Sequence, residues 1–212
     1  MIDLLAKIDS DTIAVIDGQF MPMNPNQMIA TGNHKKNFNL LVSTVEDEGS
    51  YEFSLRGSIP QFTRNNPASL TKKAAEDFLF EILANNSNVQ FDKNLISSVY
   101  YTGINEKFDD DDLLRRQTGI AYGDVYLGCP TLNFAKKIFK SSPDTVSVYQ
   151  WHYKAKLGNV KEICSRWGGS CHTNDLYPFF GIAFRDPVNY HNRERELARE
   201  VMNVVHSFLR TG

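Results

Sequence analysis

Residues 37–50 decide the fold, and they read NFNLLVSTVEDEGS. The first nine are mostly apolar or β-branched, which is typical of a strand buried on both faces of a parallel sheet. Three acidic residues follow at once, Glu46, Asp47 and Glu48. Catalytic and ligand-binding groups of α/β sheets gather at the carboxyl ends of the strands. We therefore expect an α/β protein with a functional carboxylate at this strand end.

Strands and helices alternate on either side of this strand. Residues 12–23 form a short apolar run broken by Asp17-Gly18 and Pro22, which predicts an extended segment and a turn. Residues 145–153 predict a second strand. Apolar residues at helical spacing predict helices over 69–83, 94–101, 113–141 and 193–209, the third interrupted near residue 129. The pattern indicates one domain, 1–212, with a mostly parallel sheet and a helical insertion between two strands.

Composition excludes several classes of function. The net charge is −2 and the pI is near 6.2, which argues against binding to nucleic acid or to an anionic membrane. No apolar run approaches the length of a transmembrane segment. The acidic run 109–112 lacks the alternating ligands and the glycine of a calcium loop. We therefore expect neither a metal nor any other cofactor.

A single histidine, His172, ends the glycine-rich stretch WGGSCH of residues 167–172. Imidazole transfers protons near neutral pH, and the paired glycines leave the backbone free to aim the ring into a cleft. An acid followed later by a histidine is the order of the last two members of a Ser…Asp/Glu…His triad. Spacing alone leaves Glu46 and Asp47 as competitors of Glu48, and Asp175 as a competing partner of His172.

A nucleophile is harder to find in the 212 residues. They contain no Gly-x-Ser-x-Gly motif, and the near match GGSCH places Ser170 next to the histidine loop, where no strand-to-helix elbow is expected. Cys171 is adjacent to His172 and points away from it, while Cys164 has no supporting signature. Cys164 and Cys171 either form a disulfide or remain two thiols, because spacing does not decide between these states.

Six blocks of sequence carry a resemblance to a known family. They are VIDGQFMP at 15–22, GNHKK at 32–36, DEGS at 47–50, GDVYLGCPTLNFA at 123–135, WGGSCHTNDLYPFFG at 167–181 and the closing segment 196–212. Together they resemble the C-terminal part of type-B carboxylesterases, the family of α/β-hydrolases that includes the cholinesterases. The resemblance implies the C-terminal part of that fold and a carboxylic ester hydrolase that acts through an acyl-enzyme on a small-molecule ester.

The resemblance also implies a role for individual residues. Glu48 falls on the acid and His172 on the base of the Ser-Glu-His triad. Asp175 then either supports His172 without contacting the substrate or lies at the start of a helix. Tyr51 falls where an aromatic residue shapes the substrate pocket, whereas Glu52 replaces a second aromatic residue of cholinesterases and disfavours acetylcholine as the substrate.

In this family the serine elbow and the oxyanion loop precede the segment matched here. We therefore expect a fragment of a longer esterase that is inactive on its own. If the chain stood alone, its first strand would leave an open apolar edge of the sheet. The alternatives are a non-catalytic adhesion or binding module and a truncated pseudoenzyme. Cys129 should lack its cholinesterase partner, because Asn203 occupies the matching position. The family implies an extracellular or secretory-pathway location, although residues 1–7 do not resemble a signal peptide.

Overall fold

The computed structural model describes residues 15–55, 59–86, 90–104, 111–157 and 164–212. The predictions that fall on residues 12–14 and 109–110 lie outside them. The elements, in chain order, are α1 (Pro25–Ala30), β1 (Leu40–Val45), α2 (Ser50–Leu55), a 3₁₀ helix (Pro60–Phe62), α3 (Lys72–Asn86), α4 (Lys93–Tyr100), α5 (Asp111–Gly123), a π-helical segment (Asp124–Gly128), α6 (Cys129–Ser141), β2 (Val148–Tyr153), α7 (Leu176–Phe179), α8 (Ile182–Arg185) and α9 (Asn192–Thr211).

The two strands pair in parallel, with a register that runs from Leu40 opposite Val148 to Val45 opposite Tyr153. The parallel pairing and the helical insertion between the strands are as the sequence predicts. β1 begins three residues later than expected, because Asn39 Oδ1 accepts a hydrogen bond from Ser147 N at 3.1 Å and so takes the place of a ladder bond. The described residues thus hold a small two-stranded parallel sheet with helices around it.

The predicted helices are present with bounds that shift by one to three residues, and the largest shift is in α3. α3 begins at Lys72 instead of residue 69, because Thr71 Oγ1 accepts from Ala74 N at 3.2 Å and thus caps the first turn. The helix predicted over 113–141 is interrupted just before residue 129, as expected, because a π-helical segment separates α5 from α6. The chain passes through this segment into α6, where Pro130 lies in the first turn and needs no helical hydrogen bond.

The segment that precedes α1 is a turn in its described part, residues 15–24. Asp17 Oδ1 accepts hydrogen bonds from Gln19 N at 2.9 Å and from Met21 N at 3.0 Å. The predicted turn is present, and residues 15–17 beside it belong to no helix or strand.

Two hydrophobic clusters meet at α2. Phe53 belongs to a large aromatic cluster built mainly by the insertion helices, which also buries Phe62 and Trp167. Tyr51, two residues earlier, packs instead against a smaller cluster that contains Cys171 and Ala198. The short helix that follows the acidic strand end is therefore held from both sides. No helix in the described residues is long and apolar enough to cross a membrane.

Candidate functional site

The acidic strand end is anchored by its own strand and by α5. Val45 N, the last amide of β1, donates to Glu48 Oε1 at 2.9 Å, so one oxygen of Glu48 is held by the backbone. A Cβ on Gly49 would lie 2.3 Å from Gly119 O and 2.6 Å from Gly123 N. Glycine is therefore required at position 49, because α5 packs directly against this turn. The turn leaves the Glu48 side chain 11% exposed.

The structure brings Glu48 and His172 together. Glu48 Oε2 lies 2.6 Å from His172 Nδ1, although the two residues are 124 positions apart in the chain. A carboxylate only accepts hydrogen bonds, so Nδ1 is the protonated nitrogen and Nε2 is the acceptor of the neutral ring. The His172 side chain remains 43% exposed. The pair therefore consists of a nearly buried acid and an imidazole that reagents from solution can reach.

The environment of His172 raises the pKa of its imidazole. The hydrogen bond to Glu48 is the largest cause, and the partial burial of the ring opposes it. The negative charges of Glu48, Asp175 and Glu52 raise the pKa further. Each of these carboxylates favours the imidazolium, which is the state a general base reaches after it takes a proton.

The competing acids at the strand end have other partners. Glu46 pairs with Arg116 Nη2 at 2.9 Å and with Lys154 Nζ at 3.5 Å. Asp47 is fully buried and pairs with Arg116 Nε at 2.5 Å. Among the described residues, Glu48 is thus the strand-end acid that is hydrogen-bonded to His172.

Asp175 stands immediately before α7, where its backbone occupies the cap position without a side-chain cap hydrogen bond. Its Oδ2 instead accepts from Ser43 Oγ at 2.6 Å, so the carboxylate is directed toward β1. Asp175 influences His172 through its charge. Spacing alone leaves Glu48 and Asp175 as competing partners of His172. In the structure, Glu48 makes the hydrogen bond to the imidazole.

Tyr51 borders the same site. Its ring centroid lies 6.2 Å from that of His172, with the planes tilted by 46°. The side chain is partly buried against the cluster around Cys171. An aromatic ring therefore stands beside the partly exposed imidazole.

The structure shows the bonding state of each of the three cysteines. Cys164 and Cys171 form a disulfide, the first of the two states left open by their spacing. Within the described residues Cys129 is an exposed free thiol. Ser170 is 1% exposed, and a hydroxyl so buried cannot attack a substrate from solution.

Sequence reasoning missed Arg116. This side chain rises from α5 to bind Glu46 and Asp47, and no motif distinguishes it from its neighbour Arg115. In the part of the chain that the structure describes, no group of three or more His, Cys, Asp or Glu side chains is placed to hold a metal ion.

Comparison with known proteins gives a consistent result. The model of the carboxylesterase family matches residues 6–212. The acetylcholinesterase of Bungarus fasciatus is 28% identical over 202 residues, which cover 94% of this chain and 31% of that protein. The acetylcholinesterase of Leptinotarsa decemlineata is 26% identical, with 93% and 30% covered. The chain thus spans about a third of the length of these relatives. Because the family model covers nearly the whole chain, this protein belongs to the carboxylesterase family.

Proposed function

We propose that this chain supplies the acid and the general base of a Ser-Glu-His triad that hydrolyses carboxylic esters. The observation that carries the proposal is the 2.6 Å contact between Glu48 Oε2 and His172 Nδ1. Membership of the carboxylesterase family and the similarity to acetylcholinesterases support it. The serine comes from outside these 212 residues, which hold no Gly-x-Ser-x-Gly motif.

The geometry suits the proton transfers of such a reaction. Glu48 accepts the Nδ1 proton of His172, which leaves Nε2 to take the proton of the serine as the serine oxygen attacks the ester carbonyl. Glu48 stabilises the resulting imidazolium, which then protonates the departing alcohol. In the second half of the reaction Nε2 takes a proton from water, the hydroxide attacks the acyl-enzyme, and the serine regains its proton.

We place Tyr51 in the pocket that receives the ester. Its ring stands beside the exposed imidazole, and an aromatic face packs well against an acyl or aryl group. Replacement by alanine should raise KM for an aryl ester more than replacement by phenylalanine, which keeps the ring. Equal KM values for Tyr51→Ala and the unchanged protein would show that Tyr51 does not contribute to the pocket that binds the ester.

The experiment that tests the proposal measures hydrolysis of a short-chain p-nitrophenyl ester by the full-length gene product. Glu48→Gln should lower kcat by roughly 10⁴-fold, and His172→Ala should lower it by roughly 10⁶-fold. Matched controls are Glu196→Gln and His206→Ala, which alter exposed side chains of α9 and should leave the rate unchanged. Near-normal rates in the first pair of variants would contradict the roles assigned here.

A non-catalytic adhesion or binding module makes a different prediction. The full-length gene product would then neither hydrolyse the ester nor react with a fluorophosphonate, which labels activated serines. An in-frame Gly-x-Ser-x-Gly motif in the full transcript supports the enzyme, and its absence contradicts it.

We also propose that the protein works outside the cell or in the secretory pathway. The disulfide between Cys164 and Cys171 supports this, because such bonds persist in oxidising compartments. Recovery of the tagged gene product from the medium of expressing cells tests the location, and retention in the cytosol would contradict it.

A further inference from the structure

The carboxylate of Asp47, the residue before the proposed acid, is fully buried and binds two parts of the molecule. Oδ1 accepts from Arg116 Nε at 2.5 Å, and Oδ2 accepts from Arg116 Nη2 at 3.0 Å. Such a two-point contact is the strong, directional form of an arginine–carboxylate pair. Oδ2 also accepts from Ser170 N at 2.9 Å. Asp47 therefore connects α5 to the loop that carries His172.

The backbone of Asp47 makes a second connection to the same loop. Asp47 N donates to Ser170 O at 3.0 Å, and Asp47 forms an isolated parallel bridge with Cys171. Main chain and side chain thus both hold the loop at Ser170. Asp47 is one residue from Glu48, and Ser170 is two residues from His172. These contacts consequently lie beside both ends of the Glu48–His172 hydrogen bond.

Arg116 compensates the buried charge of Asp47. Without the guanidinium, the carboxylate would be an unpaired charge in the interior, an arrangement that is strongly destabilising. The carboxylate of Asp47 would then move toward water, and this movement weakens its hold on Ser170. Arg116 itself is 36% exposed, so small ions in solution can reach its position. Its Nη2 also donates to Glu46 Oε2 at 2.9 Å.

We propose that the pair of Asp47 and Arg116 holds the loop of His172 in register with Glu48, which makes Arg116 a positioning residue for the reaction. The inference rests on the proposed function, since it assigns a further residue to the same site. Arg116 acts through Asp47 and Ser170, without contact to the ester.

The direct test is the titration of His172, followed by NMR in the full-length gene product. In Arg116→Ala the pKa of His172 should fall, because the hydrogen bond to Glu48 loosens. Removal of a nearby positive charge would by itself raise this pKa, so the direction separates positioning from simple electrostatics. Lys154→Ala is the matched control, because Lys154 is a cation that pairs with Glu46 and leaves the Asp47–Arg116 pair intact.

Catalysis provides the second readout. In Arg116→Ala kcat should fall by roughly 10- to 100-fold, the size of effect expected from a small misplacement, with KM within about twofold of normal. Guanidinium ion at low millimolar concentration should restore part of the rate to this variant and none to Glu48→Gln. Arg116→Lys, which keeps the charge and loses the two-point contact, should lie between Arg116→Ala and the unchanged protein.

The outcomes separate the two proposals. If the unchanged protein hydrolyses no ester, the proposed function fails, while a fall in the His172 pKa of Arg116→Ala still supports the positioning role. A folded Arg116→Ala or Arg116→Lys protein with an unchanged or raised His172 pKa overturns the inference. So does a normal kcat in Arg116→Ala.

Discussion

Gly169 lies so close to the carboxylate of Asp47 that a Cβ on this glycine would fall 2.0 Å from Asp47 Oδ2. Its φ of +49° is also in the left-handed region that favours glycine. Any side chain here would push the carboxylate away from Ser170 N or move the loop outward. The glycine-rich approach to His172 thus serves a close contact as well as backbone freedom.

Replacement of Gly169 by alanine should therefore lower the free energy of unfolding for two separate reasons. The left-handed conformation costs about 1–2 kcal/mol for a residue with a Cβ. The collision with Asp47 should add about 1–3 kcal/mol. Urea unfolding followed by circular dichroism measures the sum.

Gly103→Ala isolates the first penalty. Gly103 has a φ of +81°, and a Cβ there would meet no atom within 4 Å. Gly103→Ala should therefore lower the free energy of unfolding only by the cost of the left-handed backbone. Equal losses of stability in the two variants would show that the loop yields to the added methyl group without cost.

Glu48→Gln should change stability in a way that depends on pH. The folded-state pKa of His172 is raised, so its contribution to stability is fully present below the unfolded value of about 6.5 and is lost as pH rises through the folded pKa. The variant should thus lose more stability at pH 6 than at pH 9. Thermal unfolding measured across this range checks the trend.

The same variant should lower the pKa of His172, because the largest cause of its upward shift is the hydrogen bond to Glu48. A titration by NMR measures the shift directly, with His172→Gln used to assign the signal. An unchanged pKa, or a loss of stability that grows toward alkaline pH, would contradict the contact between Glu48 and His172.

Asp175→Asn provides the comparison between the two candidate partners of the imidazole. Asp175 raises the pKa of His172 through its charge and bonds to Ser43 Oγ. The variant should therefore lower that pKa by less than Glu48→Gln does. A larger effect of Asp175→Asn in the same NMR titration would make Asp175 the principal partner.

Sequence predicts an element of this fold well where a local pattern of residues is stable in only one conformation. The run at 37–45 is too apolar to lie in solvent and too rich in β-branched residues to favour a helix, so it predicts β1. Its carboxyl end then predicts where acids will collect. The choice of Glu48 over Asp47 is different, since it came from the DEG motif and needed the structure to show which carboxylate meets His172.

Other features depend on how elements rotate against one another. Arg115 and Arg116 are neighbours on α5, yet successive residues of a helix point about 100° apart. Arg115 is 3% exposed and donates to Gln61 O, while Arg116 reaches Asp47. Local sequence does not encode that rotation. The disulfide is similar, because its formation required Cα atoms 5.6 Å apart, a distance set by the whole loop.

Removal of the Cys164–Cys171 disulfide should lower stability by an amount set by its short loop. With a sequence separation of 7, loop closure in the unfolded chain predicts ~2.5 kcal/mol. The double variant Cys164→Ala/Cys171→Ala should show this loss in urea, and its His172 signal should broaden because Cys171 adjoins the ring. Cys129→Ser is the control, since it alters the exposed free thiol. If the double variant matches this control in stability, the non-covalent contacts of the loop, including those of Asp47, hold it without the disulfide.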